Sequence, residues 1–167
     1  MKRAVVVICD GLRDDMVTPD LTPNLCRIAA HGTRFDGHRG IFPSTTRTTS
    51  ASIATGCLPG RHGLEGNAMA LDLGDGLEVF SVGPPAFRDK LQQATGRTLK
   101  VPVLAERLKH AGGAVIYSNV SPGAAIFQDP DGHGHMLHRS HATGPGRTPA
   151  APLGVSGDRP AASSLDK

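Results

Sequence analysis

The sequence predicts an α/β fold, a mostly parallel sheet flanked by helices, on three observations. Ala4–Cys9 (AVVVIC) is a continuous β-branched run closed by Asp10-Gly11, the pattern of a strand buried on both faces. Ala114–Asn119 (AVIYSN) repeats that pattern near the other end. Between them the apolar positions switch to helical spacing, which gives the order strand, helix, strand, helix, helix, strand.

Each element has its own signal. Thr22-Pro23-Asn24 opens a helix, with Thr22 as N-cap, Pro23 at the first helical position, and Leu25, Ile28 and Ala29 on one face. His31-Gly32 closes it. Thr33–Phe42 is expected as a second strand with polar interruptions. Ser44–Thr55, ending at Gly56, is expected as a short, closely packed helix, although its β-branched residues have weak helix propensity. Pro59–Gly63 reads as a loop and Leu71–Gly83 as a surface strand or hairpin. Val101–His110 reads as an amphipathic helix with Leu104 and Leu108 on one face, closed by Gly112-Gly113. From Ala142 onward only Leu153, Val155 and Leu165 are large aliphatics. Such a segment buries too little surface to offset its ordering entropy, so residues 142–167 are expected as a disordered tail after a folded part spanning 1–141.

Composition sets limits on function. The chain has 167 residues, no Trp, one Tyr and five Phe, so the core must draw mainly on Val, Ile, Leu and Ala. Eighteen basic side chains against fifteen acidic ones leave a net +3, and the arginines are spread singly. A nucleic-acid platform would show a basic stripe with interleaved aromatics, and none is present. Three cysteines without a paired spacing fit reduced thiols and a cytoplasmic protein. The N-terminal apolar run is too short for a signal peptide or a membrane span.

Three segments carry chemistry. Asp10-Gly11 ends the first expected strand, where open α/β sheets place their ligands, and a carboxylate there can hold a divalent cation. Alone, an Asp-Gly pair is most often a simple turn. Phe42-Pro43-Ser44-Thr45-Thr46-Arg47 puts hydroxyls at a helix start, where backbone N–H groups and the dipole favour anions. Threonine is a poor nucleophile until a metal or base takes its proton. A metal held by Asp10 would ionise Thr46. Third, the glycine-rich stretch Pro59–Asn67 can return Asn67 to the site, where its amide would donate to a phosphate oxygen.

Together these segments resemble the nucleotide pyrophosphatase/phosphodiesterase branch of the alkaline phosphatase superfamily. The matched features are Asp10-Gly11, Thr22-Pro23-Asn24-Leu25, Phe42-Pro43 with Thr46, Thr55-Gly56 with Pro59, and His62-Gly63 with Asn67. The resemblance implies an alkaline-phosphatase-like fold, represented here by its N-terminal part. It implies Thr46 as nucleophile and metal ligand, Asp10 as metal ligand, and Asn67 as the phosphate-binding amide. It also implies a divalent metal, zinc first and manganese second, two per site in complete members, acting on a small phosphate ester. The rest of such a site comes from Asp-x-x-x-His, Asp-His and distant His motifs, which this reading places beyond the chain. The expectation is therefore a truncated phosphodiester or pyrophosphate hydrolase. The alternatives are a non-catalytic remnant binding anions or metal, and a sulfatase or phosphonate hydrolase of the same superfamily. The cluster Asp129, Asp131, His133, His135, His138 and His141 stands as a separate metal-binding candidate.

Overall fold

A computed structural model describes residues 3–118, 121–138 and 141–149, and the chain divides into two compact units, Met1–Gly40 and Ile41–Lys167.

The first unit is built around one helix, α1 (Pro23–His31), preceded by a 3₁₀ turn at Asp14–Met16. The sequence places both ends of α1 correctly. Thr22 fills the N-cap position, but its hydroxyl donates backward to the carbonyls of Met16 (3.2 Å) and Thr18 (3.3 Å) rather than capping the helix. Arg34 ties the 3₁₀ turn to the following loop through Asp14 (2.8 Å) and Asp36 (2.6 Å).

Two expected strands are corrected here. Ala4–Cys9 has no strand partner among the described residues, and its apolar side chains face outward, Val5 at 85% and Ile8 at 53% exposure. Thr33–Phe42 is irregular as well. A strand exists only where another extended backbone answers its N–H and C=O groups. The β-branched pattern of residues 4–9 states a capacity for pairing that none of the described residues meets.

The second unit holds the core. Its helices are α2 (Thr46–Thr55), α3 (Pro59–His62), α4 (Phe87–Thr95), α5 (Leu104–Leu108) and α6 (Pro122–Ile126). Strands β1 (Ala68–Asp72) and β2 (Leu77–Ser81) form an antiparallel hairpin, with Ala70 opposite Val79. Asp72 closes the turn by accepting the N–H groups of Gly74 (2.8 Å) and Gly76 (3.1 Å). Strands β3 (Val115–Ser118), β4 (His135–His138) and β5 (His141–Thr143) form a second sheet, parallel between β3 and β4 and antiparallel between β4 and β5.

The α/β character holds, but these sheets are mixed and antiparallel, not mostly parallel. β3 is also not the buried strand its sequence suggests, since Val115 and Tyr117 point outward at 66% and 73% exposure. Only the alternate residues Ile116 and Ser118 are partly covered, so the strand is half-buried. The expected hairpin between Leu71 and Gly83 is present, and its first strand begins three residues earlier. Pro59–Gly63, read as a loop, contains the single turn α3. The expected helix over Val101–His110 is confined to α5, where Ala105 is buried and Leu104 exposed.

Phe87 and Phe127 are the largest fully buried side chains. Their rings meet edge to face, with centroids 6.4 Å apart, the arrangement aromatic quadrupoles favour. Leu64, Leu71, Val82, Leu91, Leu99 and Val103 are the larger aliphatics of the same cluster, so two aromatics anchor what composition suggested would be an aliphatic core. Regular structure passes the expected boundary at Ala142, which lies inside β5, and a 3₁₀ turn follows at Pro145–Arg147. The expected tail from Ala150 onward falls outside the described residues. No helix among the described residues is long and apolar enough to cross a membrane.

Candidate active site

Asp10 sits in a tight turn of the first unit. Leu12 N–H donates to Cys9 C=O (3.2 Å), and Gly11 takes φ +81°, a conformation that glycine enters without steric cost. The turn leaves Asp10 on the surface. It is not at the end of a paired strand, so that argument for its role falls away, while its match to the motif remains.

Thr46 is the first residue of α2, and it is exposed. The helix forms despite a β-branched sequence because one face carries small residues that allow close packing. Thr48, Ser50, Ala51, Ser52 and Ala54 are buried, and α2 packs on α3, α5 and α6. Thr45 holds the N-cap in extended conformation and spends its hydroxyl on Thr48 Oγ1 (2.9 Å). The helical ladder opens with Thr49 N–H on Thr45 C=O (2.8 Å). The positive end of the helix dipole therefore lies at Thr46.

His62 and Asn67 hold the return path from α2. His62 is fully buried, with Nδ1 accepting Leu64 N–H (3.1 Å) and Nε2 2.8 Å from Ser52 Oγ. Because Nδ1 accepts, the ring proton lies on Nε2 and is donated to Ser52. Burial lowers the His62 pKa from its ordinary value, with Glu65 opposing that shift by its charge. A neutral imidazole thus pins α3 to α2. Asn67 leads into β1, its carbonyl accepting Val82 N–H (2.9 Å), and its side-chain oxygen accepts from Arg47 Nη1 (2.9 Å). Asn67 and the residue next to Thr46 are thereby in direct contact. In the sequence Arg47 stands only as part of the motif around Thr46. No spacing rule would have found this bond, because the two residues lie on different elements.

The 129–141 cluster is partly committed to loop structure. The Asp129 carboxylate is buried and accepts the N–H groups of His133 (3.0 Å) and Gly134 (2.7 Å). Asp131 accepts from Thr98 Oγ1 (2.6 Å) and lies 3.8 Å from Arg147. His133 Nε2 is 3.9 Å from Glu106. Among the described residues, no three His, Cys, Asp or Glu side chains come together to hold a metal ion. One expectation needs correction on the sequence itself. Asp129 to His133 and Asp131 to His135 both have the Asp-x-x-x-His spacing that was placed beyond the chain. Counting from each aspartate would have found them.

Of the expected site residues, Thr46 and Asn67 lie in the second unit and Asp10 in the first. A family model described as Type I phosphodiesterase / nucleotide pyrophosphatase matches residues 4–147, which takes in Asp10, Thr46, Asn67 and both Asp-x-x-x-His pairs. No curated protein and no solved structure gave a match. The chain belongs to the Type I phosphodiesterase / nucleotide pyrophosphatase family.

Proposed function

We propose that the site at the start of α2 hydrolyses phosphodiesters or pyrophosphates, with Thr46 as the nucleophile. The observation that carries this reading is an exposed threonine at the positive end of a ten-residue helix, with the Asn67 amide held against its neighbour Arg47. In the reaction, Thr46 Oγ forms a bond to phosphorus as the bond to the leaving oxygen breaks in line. Asn67 Nδ2 and the first amides of α2 donate to the equatorial oxygen as its charge grows. Water then cleaves the phosphothreonine and restores the hydroxyl.

The family motif offers Asp10 and Thr46 each as a donor to a divalent cation, zinc or manganese, one through a carboxylate and the other through a hydroxyl oxygen. A cation bound there would lower the pKa of the Thr46 hydroxyl and so favour loss of its proton. The two donors fit in kind but fall short of the four that zinc prefers. Asp131 and His135 extend the donor list by their spacing. The three cysteines are free thiols, which supports a cytoplasmic, reducing environment.

A second reading, an anion-binding module without turnover, is favoured by the lack of a converged ligand set among the described residues. Turnover of bis(p-nitrophenyl) phosphate with excess Zn²⁺ or Mn²⁺, alongside calorimetric titration of each metal and of inorganic phosphate, separates the two. Phosphate binding with turnover abolished by Thr46→Ala supports the hydrolase. Binding without turnover supports the module.

A further inference from the structure

We infer that Arg47 is a positioning residue that fixes the Asn67 amide so that both of its hydrogens are presented for a phosphoryl oxygen; this rests on the hydrolase reading above.

The argument begins with donor chemistry. A guanidinium only donates, so the Asn67 atom 2.9 Å from Arg47 Nη1 must be the oxygen. The amide's orientation is thereby set, and Nδ2 is turned away from the arginine. A charged donor on the oxygen also polarises the amide and strengthens its N–H groups as donors.

The surrounding backbone leaves room for the guanidinium at two glycines. A Cβ at Gly83 would lie 2.9 Å from Arg47 Nη2 and 3.2 Å from Cζ. A Cβ at Gly123 would lie 3.1 Å from Arg47 Nε and 2.6 Å from the Gly83 carbonyl. Two glycines, one after β2 and one in α6, thus leave room for this one side chain. Arg47 Nε is buried with no hydrogen-bond partner among the described residues. A buried, unsatisfied donor on a charged group is costly. A surface arginine of general solvation would not be packed this way.

The test uses the whole chain labelled with ¹⁵N. The Asn67 side-chain NH₂ pair is assigned by its loss in Asn67→Asp. Arg47→Lys keeps the charge and loses the fork. Gly83→Ala keeps the arginine and displaces its tip. Both should shift the Asn67 pair in the ligand-free protein and leave the unfolding midpoint little changed. Inorganic phosphate should shift the pair in the wild type, with affinity about tenfold weaker in Arg47→Lys, the scale of one charge-assisted hydrogen bond. In an Asn67→Ala background, Arg47→Lys should cost nothing further. An Asn67 pair unmoved by both variants overturns the proposal, as does an equal loss of phosphate affinity in both backgrounds. Phosphate binding that leaves the Asn67 pair unmoved overturns the proposal and the Asn67 donor role, and leaves Thr46 as nucleophile standing. A wild type that binds no phosphate overturns the hydrolase reading and the proposal together.

Discussion

At the start of α2 neighbouring residues divide the work, Thr46 exposed at the helix end and Arg47 turned toward Asn67. Thr46 was singled out in the sequence by its motif, and it opens α2. Arg47 was not, because its partner arrives from the loop before β1. If Thr46 is the nucleophile, Thr46→Ala should lower turnover of a chromogenic phosphodiester by about a thousandfold or more, while the far-UV circular dichroism stays unchanged. His62 makes a separate prediction. Its folded pKa lies below the unfolded value of roughly 6.5, so the unfolded chain binds the extra proton as pH falls. Its contribution to stability is complete above that value and declines as pH drops below it. The thermal midpoint should therefore fall between about pH 7 and pH 5, and His62→Gln should flatten that dependence.

At the scale of elements, helix ends were more legible than strands. Pro23, His31 and Thr55 announce themselves through local chemistry, and a helix satisfies its own backbone. A strand needs a partner that sequence does not name, which is why residues 4–9 and 33–42 misled. Helix α4 went unread although Phe87 and Leu91 stand one turn apart and both are buried. Phe87→Ala should cost about 3 kcal/mol, because it empties the contact with Phe127 and leaves a cavity, and urea unfolding would measure it. At the other end of α2, Gly56 holds φ +67° as the C-cap, and its N–H donates to Ser52 C=O (2.8 Å). Gly56→Ala should cost about 1 kcal/mol by placing a Cβ in the left-handed region. A midpoint unchanged by that substitution would show that α2 ends elsewhere in solution.

For the molecule as a whole, family membership was readable from five short motifs, and the family match over residues 4–147 agrees with them. Sheet direction was not readable, since β4 and β5 carry three histidines, His135, His138 and His141, and hide their pairing in that polar signal. Asp10 and Thr46 were assigned as donors by motif alone, and the Asp-x-x-x-His spacing of Asp131 and His135 was missed although it is plain in the sequence. If Asp131 and His135 serve a metal-dependent site, Zn²⁺ should raise the thermal midpoint, and Asp131→Asn should reduce that rise. The most direct test of Thr46 as nucleophile is to trap the covalent intermediate. The chain would be incubated with bis(p-nitrophenyl) phosphate and excess Zn²⁺ or Mn²⁺, quenched in acid, and its peptides sequenced by mass spectrometry. The account predicts a nitrophenyl-phosphoryl or phosphoryl group on Thr46, absent from Thr46→Ala. Nitrophenolate release at the same rate from both proteins, or an adduct on His133 or His135 with Thr46 unmodified, would contradict it.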